Sequence, residues 1–150
     1  MTTVQAGALT IGELADRTGV KVPTIRYYES IGVMPEPGRT GSNQRRYDDR
    51  AVNTLRFIRH GRDLGFDIRE IRDLLMLAAH PERPCDQADE IALHHLEQVE
   101  QRIAILQSLR SELKRMIKQC AGGRVATCRV IEVLADHAHC QTDHKGDAER

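Results

Sequence analysis

A chain of 150 residues and 16.9 kDa has room for one or two small domains, and 40% hydrophobic with 29% charged residues is the balance of an ordinary water-soluble protein. No run approaches the roughly 20 apolar residues of a spanning helix, and the opening MTTVQAGALT lacks the basic-then-apolar layout of a secretory signal, so no membrane association and a cytoplasmic location are expected. Aromatics make up only 3%, with no Trp, which disfavours a strand-rich fold against helices built on Leu, Ile and Ala. Lys+Arg and Asp+Glu both number 22, yet residues 11–62 hold ten basic against six acidic side chains, a surplus of +4 that the remainder cancels. A basic N-terminal third on a more acidic helical body suits a nucleic-acid-binding head.

Residues 1–9 are small and aperiodic and read as a frayed tail. Thr10-Ile11-Gly12-Glu13 forms a capping box that opens a helix to about Arg17, and Thr18-Gly19-Val20 turns the chain. Pro23 suits a first helical position, where its missing N–H costs nothing, and opens a second helix from Thr24 to about Ser30. Two short helices around a Gly turn make a helix-turn-helix. After Pro35-Glu36-Pro37-Gly38, the stretch Arg39 to Tyr47 reads as a small hairpin, or wing, turning at Gly41-Ser42-Asn43. Asp48 or Asp49 caps a third helix to about Leu64 with Val52, Leu55 and Ile58 inward, and Asp67 with Glu70 opens a fourth through Leu77.

From about Cys85 to Gln119 there is no Pro or Gly, and Ala92, Leu96, Val99, Ile103, Leu106, Arg110, Leu113, Ile117 and Cys120 alternate in steps of four and three. That is a heptad seam of about four repeats with one polar interruption, which argues a coiled coil. One helix cannot bury such a seam alone, and a second copy of the chain is the simplest partner, so a homodimer is expected. Ala121-Gly122-Gly123 ends the helix, Cys128 opens a short amphipathic segment, and the tail from His137 is polar. The expected organisation is a winged helix-turn-helix at 10–47, connector helices at 48–79, a dimerisation helix at 85–120, a loop and short helix at 121–136 whose cysteines are taken up below as metal ligands, and a His/Cys tail at 137–150. The fold class is mostly α with a small β wing and a long coiled-coil helix, for which the thiols below argue an antiparallel pairing.

The second helix carries Lys21, Thr24, Arg26, Tyr27 and Tyr28, and the wing adds Arg39, Arg45, Arg46 and Tyr47. Basic side chains neutralise phosphate and hydroxyls position the backbone, so these suit double-stranded DNA, although a solvated basic face has the same composition. The thiols permit a geometric argument. Cys85 and Cys120 are 35 residues apart, about 52 Å along one helix, and cannot share an ion within one chain. A parallel pair would set Cys85 against its own copy, whereas an antiparallel pair sets Cys85 of one chain beside Cys120 of the other. Cys128, at C-x7-C from Cys120, can fold back over Gly122-Gly123 as a third thiolate. Three thiolates suit zinc, cadmium, lead or mercury. The alternative is that these cysteines are small apolar residues at coiled-coil ends. His137, His139, Cys140 and His144 could add a ligand, and His94 and His95 lie on the long helix.

Ile11-Gly12-Glu13-Leu14-Ala15, Thr24-Ile25-Arg26-Tyr27-Tyr28-Glu29, Arg39 with Arg45 and Tyr47, Phe57-Ile58-Arg59 and Leu64-Gly65-Phe66 together resemble the signature of the MerR family of bacterial transcription regulators, over about residues 10–136. The resemblance implies a winged helix-turn-helix that reads a palindromic promoter, an antiparallel dimerisation helix, a C-terminal effector loop, and DNA distortion that realigns the promoter for RNA polymerase. It implies DNA contacts from Thr24, Arg26, Tyr27, Arg39, Arg45 and Tyr47, with Tyr28 in the core. Gln44 stands where many members have an aromatic, and Arg46 where they have an apolar residue. The family's metal sensors carry Cys at positions matching Cys120 and Cys128. A Cys matching Cys85 resembles the divalent branch, the x7 loop resembles the copper(I) branch, and His95 resembles a position used by some cadmium sensors. The reading adopted is a divalent heavy-metal effector at Cys85, Cys120 and Cys128 controlling export or resistance genes, with copper(I) or thiol-redox sensing as the alternative. A small zinc hydrolase is the rival class, but there is no H-E-x-x-H, no Ser elbow and no phosphate-cradling loop.

Overall fold

The computed structural model describes residues 8–120 and 122–139 and resolves two compact units that divide between Ala88 and Asp89. The first begins with α1 (Ile11–Thr18), whose capping box forms as the sequence specifies: Glu13 N–H donates to the Thr10 hydroxyl at 3.2 Å, and Thr10 N–H donates to the Glu13 carboxylate at 2.7 Å. The Glu13 carboxyl is lowered by those Thr10 donors, backbone first. Gly19 ends α1 at φ 68°, a left-handed conformation that glycine adopts without strain. A Cβ there would also stand 2.1 Å from Arg59 Nη1, which donates to the Thr18 carbonyl at 2.6 Å.

Helix α2 (Val22–Ser30) follows with Pro23 in its first turn. Strands β1 (Gly38–Arg39) and β2 (Arg45–Arg46) pair antiparallel, Gly38 opposite Arg46 and Arg39 opposite Arg45, around a turn in which Asn43 takes φ 63°. Asn is among the few non-glycine residues that accept that region. Leu9 pairs with Tyr47 through two backbone hydrogen bonds of 2.7 and 2.9 Å and is itself buried, so the N-terminal tail is ordered back to at least this residue rather than frayed through it. The extended segment supplies the wing with a further pairing that no periodicity in nine residues could announce.

Helix α3 (Asp49–Asp63) is capped by Asp48, and α4 (Ile68–Ala78) by Asp67 with a complete Glu70 capping box. Helix α1 packs on α2 and α3, and α3 on α4. The last contact is close: a Cβ at Gly61 would meet Ile71 Cγ1 at 3.0 Å. One core joins Leu14, Ile25, Tyr28, Val33, Met34, Tyr47, Val52, Leu55, Ile58 and Ile71, which includes the three α3 residues expected inward and Tyr28. Arg72 Nη2 donates to the Ile31 carbonyl at 2.7 Å, tying α4 to the end of α2.

Helix α5 (Asp86–Gln119) runs 34 residues, a length of about 51 Å at 1.5 Å per residue. In the second unit it is followed by a 3-10 turn (Val125–Thr127), α6 (Arg129–Ala135) and a second 3-10 turn (His137–His139). Leu96, Ile103, Leu106, Leu113 and Ile117 are all exposed in the single chain, whereas Glu112, Met116 and Val133 are buried. These five heptad residues are therefore not buried by their own unit, and Val99 is only half-buried. Among the described residues no helix is long and apolar enough to cross a membrane.

Candidate DNA interface and metal centre

On α2 the helical period sends Ile25 and Tyr28 into the core and leaves Lys21, Arg26 and Tyr27 exposed, with Thr24 half-buried between them. The Tyr27 ring is braced against Tyr28, centroids 5.8 Å apart. Arg39 stands exposed on β1, its Nη1 donating to Asn43 Oδ1 at 3.0 Å across the wing turn. These groups can neutralise phosphate and hydrogen-bond base edges.

Arg45 and Tyr47 are placed differently. Tyr47 is 2% exposed, and its hydroxyl donates to Glu29 in a short hydrogen bond. Arg45 is half-buried with Nε 3.3 Å from Glu29 Oε2. Burial first, and the Glu29 carboxylate second, hold the Tyr47 phenol well above its ordinary range, so it stays a neutral donor. Glu29, whose side chain is 8% exposed, thus fastens α2 to the base of the wing. In the sequence Glu29 is visible only as the acid that closes the Tyr-Tyr-Glu motif, and it acquires a role only once Arg45 and Tyr47 are brought to it.

Cys120 leaves the end of α5 and Cys128 stands at the N-cap of α6, and the fold brings their sulfurs to 3.7 Å. Gly122 and Gly123, with φ 80° and 141°, allow the reversal between them. The Cys128 thiol is lowered by the Ile131 backbone N–H, then by Cys120 and by the Val130 N–H, which favours the thiolate that binds metal. Cys85 is exposed one residue before α5, at the other end of that helix. Among the described residues no three His, Cys, Asp or Glu side chains converge, so one chain brings together two of the three expected thiols. His95 is buried, and His94 shares a 2.9 Å hydrogen bond with Gln98. His139 offers its carbonyl to Arg115 and Arg129, and its ring lies 4.0 Å from Asp136. Cys140 and His144 lie outside the described residues.

Residues 9–77 match the family profile described as MerR HTH family regulatory protein, and residues 52–116 match the one described as MerR, DNA binding. The chain is 39% identical over 127 residues to the HTH-type transcriptional regulator HmrR of Sinorhizobium medicae, covering 85% of this chain and 86% of that protein. It is 38% identical over 128 residues to heavy metal-dependent transcription regulator 2 of Rhizobium meliloti, covering 85% and 87%. Among solved structures it is similar to the transcription regulator PbrR691 of Ralstonia metallidurans in complex with lead(II), with a TM-score of 0.74, 34% identity, and 84% and 98% of the two chains covered.

Proposed function

Because the chain belongs to the MerR family of helix-turn-helix regulatory proteins, DNA-binding regulators and not enzymes, we propose that it is a metal-responsive transcription regulator acting as a homodimer on a palindromic promoter. Its effector in this reading is a divalent heavy-metal ion, zinc, cadmium, lead or mercury, held by Cys120 and Cys128 of one chain and Cys85 of a second. The observation that carries the reading is the 3.7 Å sulfur pair. Two thiolates about 2.3 Å from a common centre at a tetrahedral angle lie about 3.8 Å apart, whereas a linear pair lies about 4.6 Å apart. The pair therefore fits a tetrahedral or trigonal ion better than a two-coordinate one. Support also comes from the relatives, one of which is described as heavy metal-dependent and one of which was solved with lead(II).

The exposed seam of α5 supplies the dimer contact, and running the two helices antiparallel sets Cys85 beside the second copy's thiol pair. Thr24, Arg26, Tyr27 and Arg39 contact DNA from the surface, while Arg45 and Tyr47 act from the Glu29 cluster that fixes the wing. Two reading heads held at one separation require the DNA to bend or twist, at a deformation cost that contacts offset. Thiolates that bind metal more tightly in one head spacing than in the other shift that shape, and the realigned promoter becomes accessible to RNA polymerase. The test is a metal titration of the fully reduced protein, read by thiolate charge-transfer absorbance for cadmium, lead and mercury and by chelator competition for zinc and copper(I). One ion per chain, lost with Cys85→Ser, is expected, with Cys120→Ser retaining promoter affinity but not metal-dependent transcription. Tight copper(I) binding indifferent to Cys85→Ser overturns the divalent reading.

One observation favours a second reading. The lowered Cys128 thiol beside Cys120 is also what a disulfide-forming oxidant sensor needs. Peroxide-dependent transcription without metal binding under reductant would establish it.

A further inference from the structure

The contacts of the cysteines themselves are not the whole of what holds the thiol pair. Cys120 and Cys128 belong to a segment that leaves α5 and must be brought back to it, and at the far end of that segment a set of polar contacts closes the loop. Glu112, side chain 3% exposed, pairs with Arg115, whose Nε lies 3.3 Å from Glu112 Oε2 and whose Nη2 meets Glu112 Oε1 in a short contact. The same Nη2 donates to the His139 carbonyl at 3.0 Å, 24 residues on. Arg129 Nη2 approaches that carbonyl at 3.4 Å, and its Nη1 pairs with Glu132 at 2.9 Å. Arg115 Nη1 also donates to Gln119 Oε1 at 3.0 Å, next to Cys120. A guanidinium offers five donors in a planar fork, so one side chain can hold a carboxylate, an amide and a carbonyl together.

We infer that Arg115, set by buried Glu112, is a positioning residue for the thiol pair: it clasps the His139 carbonyl to α5, closes the loop that carries Cys128, and so forms the Cys120–Cys128 spacing before any ion arrives. The physical gain is preorganisation. An open segment must lose its loop entropy when metal binds, whereas a clasped one has already lost it on folding. The His ring at position 139 is not required by this role.

The metal arm of the test rests on the thiolate reading above, so a metal-free arm is paired with it. In the first, cadmium affinity is measured by chelator competition for the wild type, Arg115→Ala and Arg115→Lys. Arg115→Ala is expected to weaken binding about tenfold or more, the range for losing a charged hydrogen bond, with the charge-transfer band per bound ion unchanged at saturation. Arg115→Lys, which keeps a donor and the charge, is expected to recover part of the loss. In the second arm, with Cys85→Ser and Cys140→Ser in the background, the metal-free pair is equilibrated with glutathione buffers. The protein dithiol is oxidised to a disulfide as one glutathione disulfide is reduced to two thiols, and the equilibrium reports the effective concentration of Cys120 against Cys128. Arg115→Ala is expected to lower it by a similar factor at unchanged helicity. An effective concentration equal to that of the wild type overturns the clasp whatever the metal result. Failure of the wild type to bind cadmium, with the effective concentration still lowered in Arg115→Ala, retains the clasp and removes the metal reading instead.

Discussion

Glu29 shows how much one side chain can decide. It sits on α2 among residues that face DNA in our reading, yet its carboxylate is turned away from solvent to accept from Tyr47 and to pair with Arg45. A buried carboxylate is tolerated only when it is hydrogen-bonded or paired, and here a neutral phenol donates to it while a guanidinium lies beside it as counter-charge. Glu29→Gln keeps the shape and one acceptor but leaves Arg45 without its counter-charge. The expected cost is about 1–3 kcal/mol in urea denaturation followed by circular dichroism, accompanied by weaker promoter binding in fluorescence anisotropy because wing and helix are no longer one body. Unchanged stability would mean that Arg45 finds other company. The sequence displayed the basic and aromatic residues of the wing openly, but alternation along so short a hairpin did not reveal that Tyr47 points inward and pairs its backbone with Leu9. Two arginines of the basic third likewise spend donors internally, Arg59 on the Thr18 carbonyl and Arg62 on the Phe66 carbonyl. A charge count cannot separate those from the ones left for phosphate.

At the scale of elements, local chemistry sets most boundaries. Both capping boxes form, Asp48 caps α3, and Pro23 sits in the first turn of α2, because each cap satisfies orphan amides within three residues of itself and the proline removes one such amide. Asp67 accepts from the Arg69 and Glu70 amides at 2.8 and 2.9 Å, and the Glu70 backbone N–H is the leading cause that lowers its carboxyl. A carboxyl lowered by folding contributes stability above its unfolded pKa, about 3.9, and loses that contribution as the pH falls through the folded value. Asp67→Ala is therefore expected to cost about 1 kcal/mol at neutral pH, with the difference from the wild type shrinking as thermal melts are taken into the acid range below pH 4. A gap independent of pH would show that the ionised cap contributes nothing. The 3-10 turn at His137–His139 has a local cap of its own, the Asp136 carboxylate accepting from the Ala138 amide at 2.9 Å. Its attachment to Arg115 and Arg129 had no comparable signal, because the group they reach is a carbonyl, and a carbonyl is the same at every position in a sequence.

For the whole molecule, the exposed seam is the dominant feature. Leu106 and Leu113 are 63% and 53% exposed on a helix whose buried residues lie elsewhere, which leaves an apolar stripe that a second copy can cover. Leu106→Asp is expected to convert a two-chain mass into a one-chain mass in sedimentation equilibrium at micromolar concentration, and to remove the concentration dependence of the melting temperature. A single-chain mass for the wild type would refute the dimer at once. The sequence by itself determined the helical class, the caps, the wing, the length of α5 and its heptad stripe, since each follows from interactions between residues a few positions apart or from a repeat of 3.5. Only the tertiary structure decided that Glu29 is a buried hub, that Leu9 belongs to the wing, and that the fold-back of Cys128 on Cys120, which the spacing allows, closes to 3.7 Å with Arg115 holding the far end of the loop. Those contacts join residues between 8 and 38 positions apart, beyond the reach of helix and turn geometry, so packing and polar contacts between elements set the distance.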